Sequence, residues 1–182
     1  MKFKEWVYNS NVKEEAALTK RLLLSRGLTG EEEIEEFLHP LEMKLTSPYD
    51  FTDMQKAVDR IIKAIVNREK IVIYGDFDAD GVTSTSVLFK TLAHLGANVE
   101  YFIPDREKEG HGLDSAALVK IIAAKKPKLV ITVDCGISNV KEVAFLKSFG
   151  VDTIITDHHE AKDELPQALA IINPKAPGAL SE

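Results

Sequence analysis

Short apolar segments alternate with helix-like segments from about residue 70 onward, and this alternation restricts the possible folds more than any other feature. The strand candidates are rich in β-branched residues and lie at 71–75, 98–103, 128–133, 152–156 and 169–172. The helix candidates between them lie at about 82–95, 114–124 and 139–149. Continuously apolar strands separated by helices are typical of a parallel sheet that is covered on both faces. The sequence therefore predicts an α/β fold with a doubly wound, mostly parallel sheet.

Residues 1–68 carry helical periodicity and little that indicates a strand. Leucines recur at helical spacing from Leu18, a second apolar set begins at Ile34, and an amphipathic pattern starts at Met54. We expect a helical N-terminal segment at 1–68, packed on an α/β domain at 69–182. The ending "NPKAPGALSE" is typical of a linker or of the point where a longer chain was cut, so we expect the domain to be truncated at its C-terminal end.

The composition of the chain argues against several classes of protein and of binding site. The chain is 45% apolar and contains no apolar run near the roughly 18 to 20 residues of a membrane span. Its start, "MKFKEWVYNS", lacks the apolar core of a secretory signal, so we expect a cytoplasmic protein that does not engage a membrane. The single cysteine, Cys135, excludes a cysteine-rich zinc site. A net charge of −6 argues against a broad basic surface for nucleic acid, but it is compatible with a phosphate substrate held through metal ions.

Three aspartates follow the first predicted strand in the stretch "GDFDADG". Asp76, Asp78 and Asp80 would project to one side of an extended chain, and like charges so close oppose folding unless a cation neutralises them. A solvated acidic turn would explain one or two such residues better than three in register. The spacing copies the start of an EF-hand loop, but Val87 stands where that loop requires a glutamate. Neither a G-x-G-x-x-G nor a Walker lysine is present.

The other strands also end in polar residues. The second is followed by Pro104-Asp105-Arg106, the third by Asp134 and the fourth by Asp157-His158-His159. These segments meet at one edge of a parallel sheet, where ligands bind. Aspartate and histidine suit Mn²⁺ or Mg²⁺ and also accept Co²⁺ or Zn²⁺. The number of carboxylates indicates two metals bridged by an aspartate, a centre that activates water and clamps phosphoryl oxygens. We expect hydrolysis of a phosphate ester or anhydride. The hydroxyl-rich run containing Ser84 either helps to hold a phosphate or caps the following helix.

Four motifs carry a resemblance to a known family. "YGDFDADGVTST", "PDREKEGHGL", "VDCGIS" and "DHH" resemble, in order and spacing, the motifs of the RecJ family within the DHH phosphoesterase superfamily. The likeness extends to "DMQKAVDRIIKAI" before the first strand and covers nearly the whole chain, which resembles the N-terminal part of the family. The resemblance implies a metal-dependent 5'→3' exonuclease that cuts single-stranded DNA to 5'-mononucleotides in DNA repair and recombination. Single-stranded DNA and other DNA-repair proteins are the partners implied.

The resemblance also implies roles for particular residues. The implied metal ligands are Asp78, Asp80, Asp134 and His158, with Asp134 as the bridge and Asp76 as a further ligand or a close neighbour of the metals. The implied substrate contacts are His159 and Arg106 on the scissile phosphate, with Asp157 orienting the two histidines. His111 is a further candidate substrate contact, although the family more usually has tyrosine at its position.

The family places further elements downstream of these motifs. They are another metal-binding aspartate, a DHH-associated domain and an OB-fold, and the present chain ends 23 residues after His159. We therefore expect a fragment. Two alternatives stay open from the sequence: a sister activity on short oligonucleotides, cyclic dinucleotides or pyrophosphate, and a metal-binding scaffold that is inactive on its own.

Overall fold

The computed structural model describes residues 18–39, 47–107, 110–162 and 164–180. The chain divides into two compact units, residues 1–46 and 47–182. The described part of the first unit contains α1, Leu18–Ser25, and α2, Glu31–Leu38, which lie where the apolar spacing predicted helices. The rest of the expected helical segment at 1–17 and 40–46 lies outside the described residues.

The second unit contains the sheet and four helices within its described residues. After a 3-10 helix at Pro48–Asp50, the elements are α3 (Met54–Val66), β1 (Lys70–Tyr74), α4 (Ala79–His94), β2 (Asn98–Phe102), α5 (Ser115–Lys125), β3 (Leu129–Val133), α6 (Val140–Ser148), β4 (Asp152–Thr156) and β5 (Ala170–Ile172). Every strand pair is parallel, and the order is β2-β1-β3-β4-β5. The predicted doubly wound α/β fold is confirmed. The two units divide after residue 46, so α3 lies in the same unit as the sheet. The expected domain boundary at residue 68 remains a prediction.

The hydrophobic core has two layers because side chains alternate across the sheet. On β1, Val72 and Tyr74 belong to a cluster with α5 and α6, whereas Ile71 and Ile73 belong to a cluster with α3 and α4. All four side chains are fully buried. Each contributes about 1.5–3 kcal/mol of burial free energy, which explains why the strands are continuously apolar.

The strand order brings two carboxyl ends together at the centre of the sheet. The chain passes from β1 to β2 on one side and then returns to place β3 on the other side of β1. The crossover helices therefore diverge between β1 and β3, and ligands bind at such a switch point.

None of the helices in the described part of the chain has both the length and the apolar content of a membrane span.

Candidate metal centre

The turn after β1 holds the first acidic residues in a compact arrangement. Asp76 is buried; its Oδ1 accepts a 2.6 Å hydrogen bond from the Phe77 N–H, and its Oδ2 lies 3.2 Å from His111 Nδ1. Asp78 caps α4, because its Oδ1 accepts a 3.0 Å hydrogen bond from the Gly81 N–H. The helix therefore begins at Ala79, three residues before its predicted start, and a helix turn rather than an extended strand carries the third aspartate.

Asp134 lies at the centre of the strand ends in a constrained conformation. Its backbone is left-handed, with φ of 61°, and its side chain is 8% exposed. Its Oδ1 lies 3.0 Å from His158 Nε2. Burial, and then the nearby charge of Asp78, raise the pKa of Asp134, whereas the Gly81 N–H lowers the pKa of Asp78. Burial and the charge of Asp78 therefore both disfavour the ionised form of Asp134 when no cation is bound.

Asp157 is buried and surrounded by hydrogen-bond donors. It accepts from the Ile137 N–H at 3.0 Å, the His158 N–H at 2.7 Å and the His159 N–H at 3.1 Å. It also lies 2.7 Å from His159 Nδ1, and this hydrogen bond raises the pKa of His159. The contact occupies Nδ1, so Nε2 is the ring nitrogen left for another partner. These hydrogen bonds show that Asp157 holds the segment between β4 and β5 in place.

Two clefts meet at this centre, and Asp134 and Asp157 line both. The cleft of about 460 Å³ is also lined by Asp76, His111 and His159, and that of about 320 Å³ by Asp80, Ser84 and His158. Ligand atoms of Asp134, His158 and His159 lie within 4.8 Å of one another. This donor set fits a divalent cation, because oxygen and imidazole ligands surround a buried carboxylate whose charge is disfavoured by burial and by Asp78.

Two predicted substrate residues, Arg106 and Ser84, make other contacts within the described residues. Arg106 is exposed, with its guanidinium 5.5 Å from the centre of the Phe77 ring, and it is not among the described residues that line either cleft. Ser84 lines the smaller cleft, but its hydroxyl donates to the Asp80 carbonyl at 2.6 Å. The hydroxyl-rich run does not supply the cap of α4, since Asp78 does.

Two further residues shape the centre, and sequence reasoning missed the structural role of each. Asn173 is fully buried; its Nδ2 donates to the His159 carbonyl at 3.0 Å, and its Oδ1 accepts from the Lys175 N–H at 2.8 Å. Gly81 permits a close approach, since a Cβ there would lie 2.3 Å from the Asp76 carbonyl oxygen. The asparagine-proline pair directly after the last strand, and a glycine within an acidic motif, were the available signals.

The comparisons with known proteins agree with this arrangement. The sequence model described as "DHH family, N-terminal domain" matches residues 70–182. The chain belongs to the DHH family. The match covers the whole sheet and every element that contributes to the two clefts of this DHH domain.

Similar proteins carry the names of nucleases. The DHH chain is 48% identical over 161 residues to the single-stranded-DNA-specific exonuclease RecJ of Bacillus subtilis strain 168, covering 88% of this chain and 20% of that protein. It is 38% identical to RecJ of Escherichia coli K12, covering 86% of this chain and 26% of that protein. The chain thus spans about a fifth to a quarter of the length of these curated relatives.

Solved structures share the fold. A crystal structure of exonuclease RecJ bound to manganese is 34% identical with a TM-score of 0.66, covering 74% of this DHH chain and 36% of that one. The structure of RecJ from Thermus thermophilus in complex with Mn²⁺ is 31% identical with a TM-score of 0.63, covering 86% of this chain and 21% of that one.

Proposed function

We propose that this domain is the metal-binding catalytic part of a single-stranded-DNA-specific exonuclease that releases 5'-mononucleotides in the 5'→3' direction. The observation that carries the proposal is the buried Asp134, in contact with both Asp78 and His158 at the switch point of the sheet. The similar proteins named RecJ support the choice of substrate and reaction.

The acidic motifs would hold Mn²⁺ or Mg²⁺. The proposed ligands are Asp76, Asp78, Asp80, Asp134 and His158. Asp134 would be shared between two ions, as the family resemblance implies, because it lines both clefts and also contacts His158. A pair of bound divalent ions would polarise the phosphodiester and activate water. Manganese in similar solved structures favours this metal, and the oxygen-rich ligand set also suits magnesium.

The chain's own residues would orient the substrate. Asp157 fixes the His159 ring through Nδ1, which leaves Nε2 to donate to a phosphate oxygen. His111 lines the larger cleft beside Asp76 and would contact the nucleotide bound there. Arg106 is an exposed cation whose charge would attract a phosphate once the loop that carries it meets DNA. Ser84 would contribute to the wall of the smaller cleft.

The wider setting of the protein is also a proposal. We infer action in the cytoplasm, in DNA repair or recombination, together with other repair proteins. This inference depends on the family resemblance of the four motifs. The test is to follow the tagged full-length protein in cells after DNA damage and to identify the proteins that it retains.

Digestion of 3'-labelled single-stranded DNA tests the activity. We expect the full-length protein that contains this domain to give progressively shorter labelled products with Mn²⁺, and none with EDTA. Asp134→Asn should abolish the products, and retained hydrolysis in that variant would contradict the mechanism. The same assay on the 182-residue chain decides whether the domain suffices. Gradual release of a 5' label, in place of its immediate release as a mononucleotide, would contradict the polarity.

A further inference from the structure

Asn139 occupies a helix-capping position but uses its side chain elsewhere. It is the residue before α6, where an asparagine ordinarily accepts a hydrogen bond from the first turn of its own helix. Its side chain makes no such hydrogen bond within the described residues. Instead, its Oδ1 accepts from the Leu113 N–H at 3.2 Å and its Nδ2 donates to the Leu113 carbonyl at 3.3 Å. The amide thus pairs with both backbone groups of one residue that lies 26 positions earlier.

The neighbours of this contact are arranged around it. Glu142 Oε2 accepts from Asn139 Nδ2 at 3.1 Å, which sets the orientation of the amide. Gly112 has a φ of +80°, and a Cβ there would lie 2.8 Å from Asn139 Oδ1. Only glycine therefore allows the two segments to approach so closely at this backbone conformation. Glu142 Oε1 also accepts from the Ser115 hydroxyl at 3.4 Å, which extends the contact to the start of α5.

The segment that Asn139 grips carries His111. The His111 ring lies with its centre 4.4 Å from that of Phe77, and its Nδ1 is 3.2 Å from Asp76 Oδ2. His111 is 69% exposed, so packing alone does not hold it there. The backbone clamp lies two residues away, on the segment from which His111 reaches Asp76 and Phe77.

We propose that Asn139 is a positioning residue that holds the loop of His111 against Asp76 and so sets one wall of the larger cleft. Asn139 and Gly112 both line that cleft, which places the clamp beside the proposed nucleotide contact. The proposal rests on the proposed function only for its consequence for DNA, since the clamp and the His111 contact are properties of the chain itself.

Asn139→Asp separates positioning from folding. A carboxylate before α6 can cap the helix and favours its N-terminus, which helps this variant to fold although the clamp is lost. It cannot donate to the Leu113 carbonyl, and it would repel Glu142. Asn139→Ala removes the clamp and any cap together. Asn98→Ala is the matched control, because Asn98 is an exposed asparagine at the start of β2.

The first measurement is the ¹⁵N resonance of the His111 ring in the 182-residue chain, in EDTA and at a mildly alkaline pH, with His111→Gln to assign it. We expect the Nδ1 signal of His111 to shift toward that of an unbonded imidazole in Asn139→Asp and Asn139→Ala and to stay unchanged in Asn98→Ala. An unchanged signal in a folded Asn139→Asp chain would overturn the proposal. If Asn139→Ala does not fold, Asn139→Asp decides.

The second measurement is the affinity of the full-length protein for a 5'-phosphorylated single-stranded oligonucleotide. Asn139→Asp and His111→Ala should each weaken binding roughly fivefold, the factor of about one hydrogen bond. The double variant should be no weaker than His111→Ala, because Asn139 acts through His111. Additive losses would overturn the positioning role. If the wild type binds no single-stranded DNA, the proposed function fails, and the ring resonance still decides the clamp.

Discussion

Asp134→Asn should stabilise the metal-free protein while removing its response to metal. Asp134 is buried beside Asp78, and like charges in contact repel by about 1 kcal/mol in water and about 4 kcal/mol at an effective dielectric constant of about 20. The substitution removes this repulsion and keeps the shape of the side chain. It also loses the pair with His158, but that histidine is 58% exposed, so the loss is below about 1 kcal/mol.

The backbone of residue 134 decides which substitution is informative. Its φ of 61° is left-handed, a region that asparagine tolerates and alanine does not. Asp134→Ala therefore adds a cost of about 1–2 kcal/mol that conceals the electrostatic gain. For Asp134→Asn we expect a net gain of about 1–2 kcal/mol, which corresponds to roughly 2–8 °C in the melting temperature of a chain this size.

Thermal unfolding with and without Mn²⁺ provides the assay. At a metal concentration of about 100 times the dissociation constant, the wild type should gain about 2.7 kcal/mol, and Asp134→Asn should gain almost nothing. A variant that is destabilised in EDTA, or that keeps the full response to Mn²⁺, would refute the reasoning.

The pH dependence of the stability gained in Asp134→Asn follows from the raised pKa of Asp134. A raised pKa in the folded state means that ionised Asp134 costs stability above that pKa and that the cost is relieved as the pH falls. The advantage of Asp134→Asn in EDTA should therefore be largest at neutral pH and vanish toward the ordinary aspartate value of about 3.9. An advantage that grows on acidification would contradict the assignment.

Three further substitutions test the surroundings. Gly81→Ala should lower the free energy of unfolding by about 3 kcal/mol in chemical denaturation, because the added Cβ would meet the backbone of Asp76. Gly150→Ala has open space around its Cβ and should lower it by about 1 kcal/mol, through its positive φ alone. Equal losses in the two variants would contradict the close approach at Gly81. Glu100→Gln should lower the free energy of unfolding by less than about 1 kcal/mol at neutral pH and low salt, since two lysines lower the Glu100 pKa to about 2 but the side chain is half exposed. That loss should disappear toward a pH of about 2 and in about 1 M salt. A loss that does not depend on salt would argue against the ion pairs. Asn173→Ala should lower the free energy of unfolding by about 1 kcal/mol, measured in thermal unfolding, because it removes the part-buried hydrogen bond from the Asn173 amide to the His159 carbonyl. No change would show that water replaces the amide.

The strands could be predicted because burial on both faces leaves a direct signature in sequence. Ile71 and Ile73 face one layer and Val72 the other, so every position must be apolar. The start of α4 could not be predicted as well. Gly81 disfavours a helix by intrinsic propensity, yet the Asp78 cap and the close approach of the glycine to the preceding turn outweigh that preference. The predicted helix therefore began three residues late.

The candidate site also contains residues that the sequence could predict and residues that it could not. Acidic residues at the ends of strands were found because topology alone brings them together. Asn139 and Asn173 were missed because their partners lie 26 and 14 residues away and no periodicity connects them. A polar side chain that holds a distant backbone group has no local pattern, so only the folded chain shows it.

The raised pKa of Asp134 and the proposed affinity of the centre for metal have one physical cause. The sheet holds Asp134 where burial and Asp78 disfavour its charge, so the folding free energy of the metal-free domain is reduced by that arrangement. A divalent cation removes the same penalty when it binds, and the relief adds to its affinity. A chain with net charge −6 could therefore bind a polyanion at this point, because the metals and not the protein surface would supply the positive charge. It follows that substitutions which relax the metal-free centre should weaken metal binding in proportion to the stability that they add.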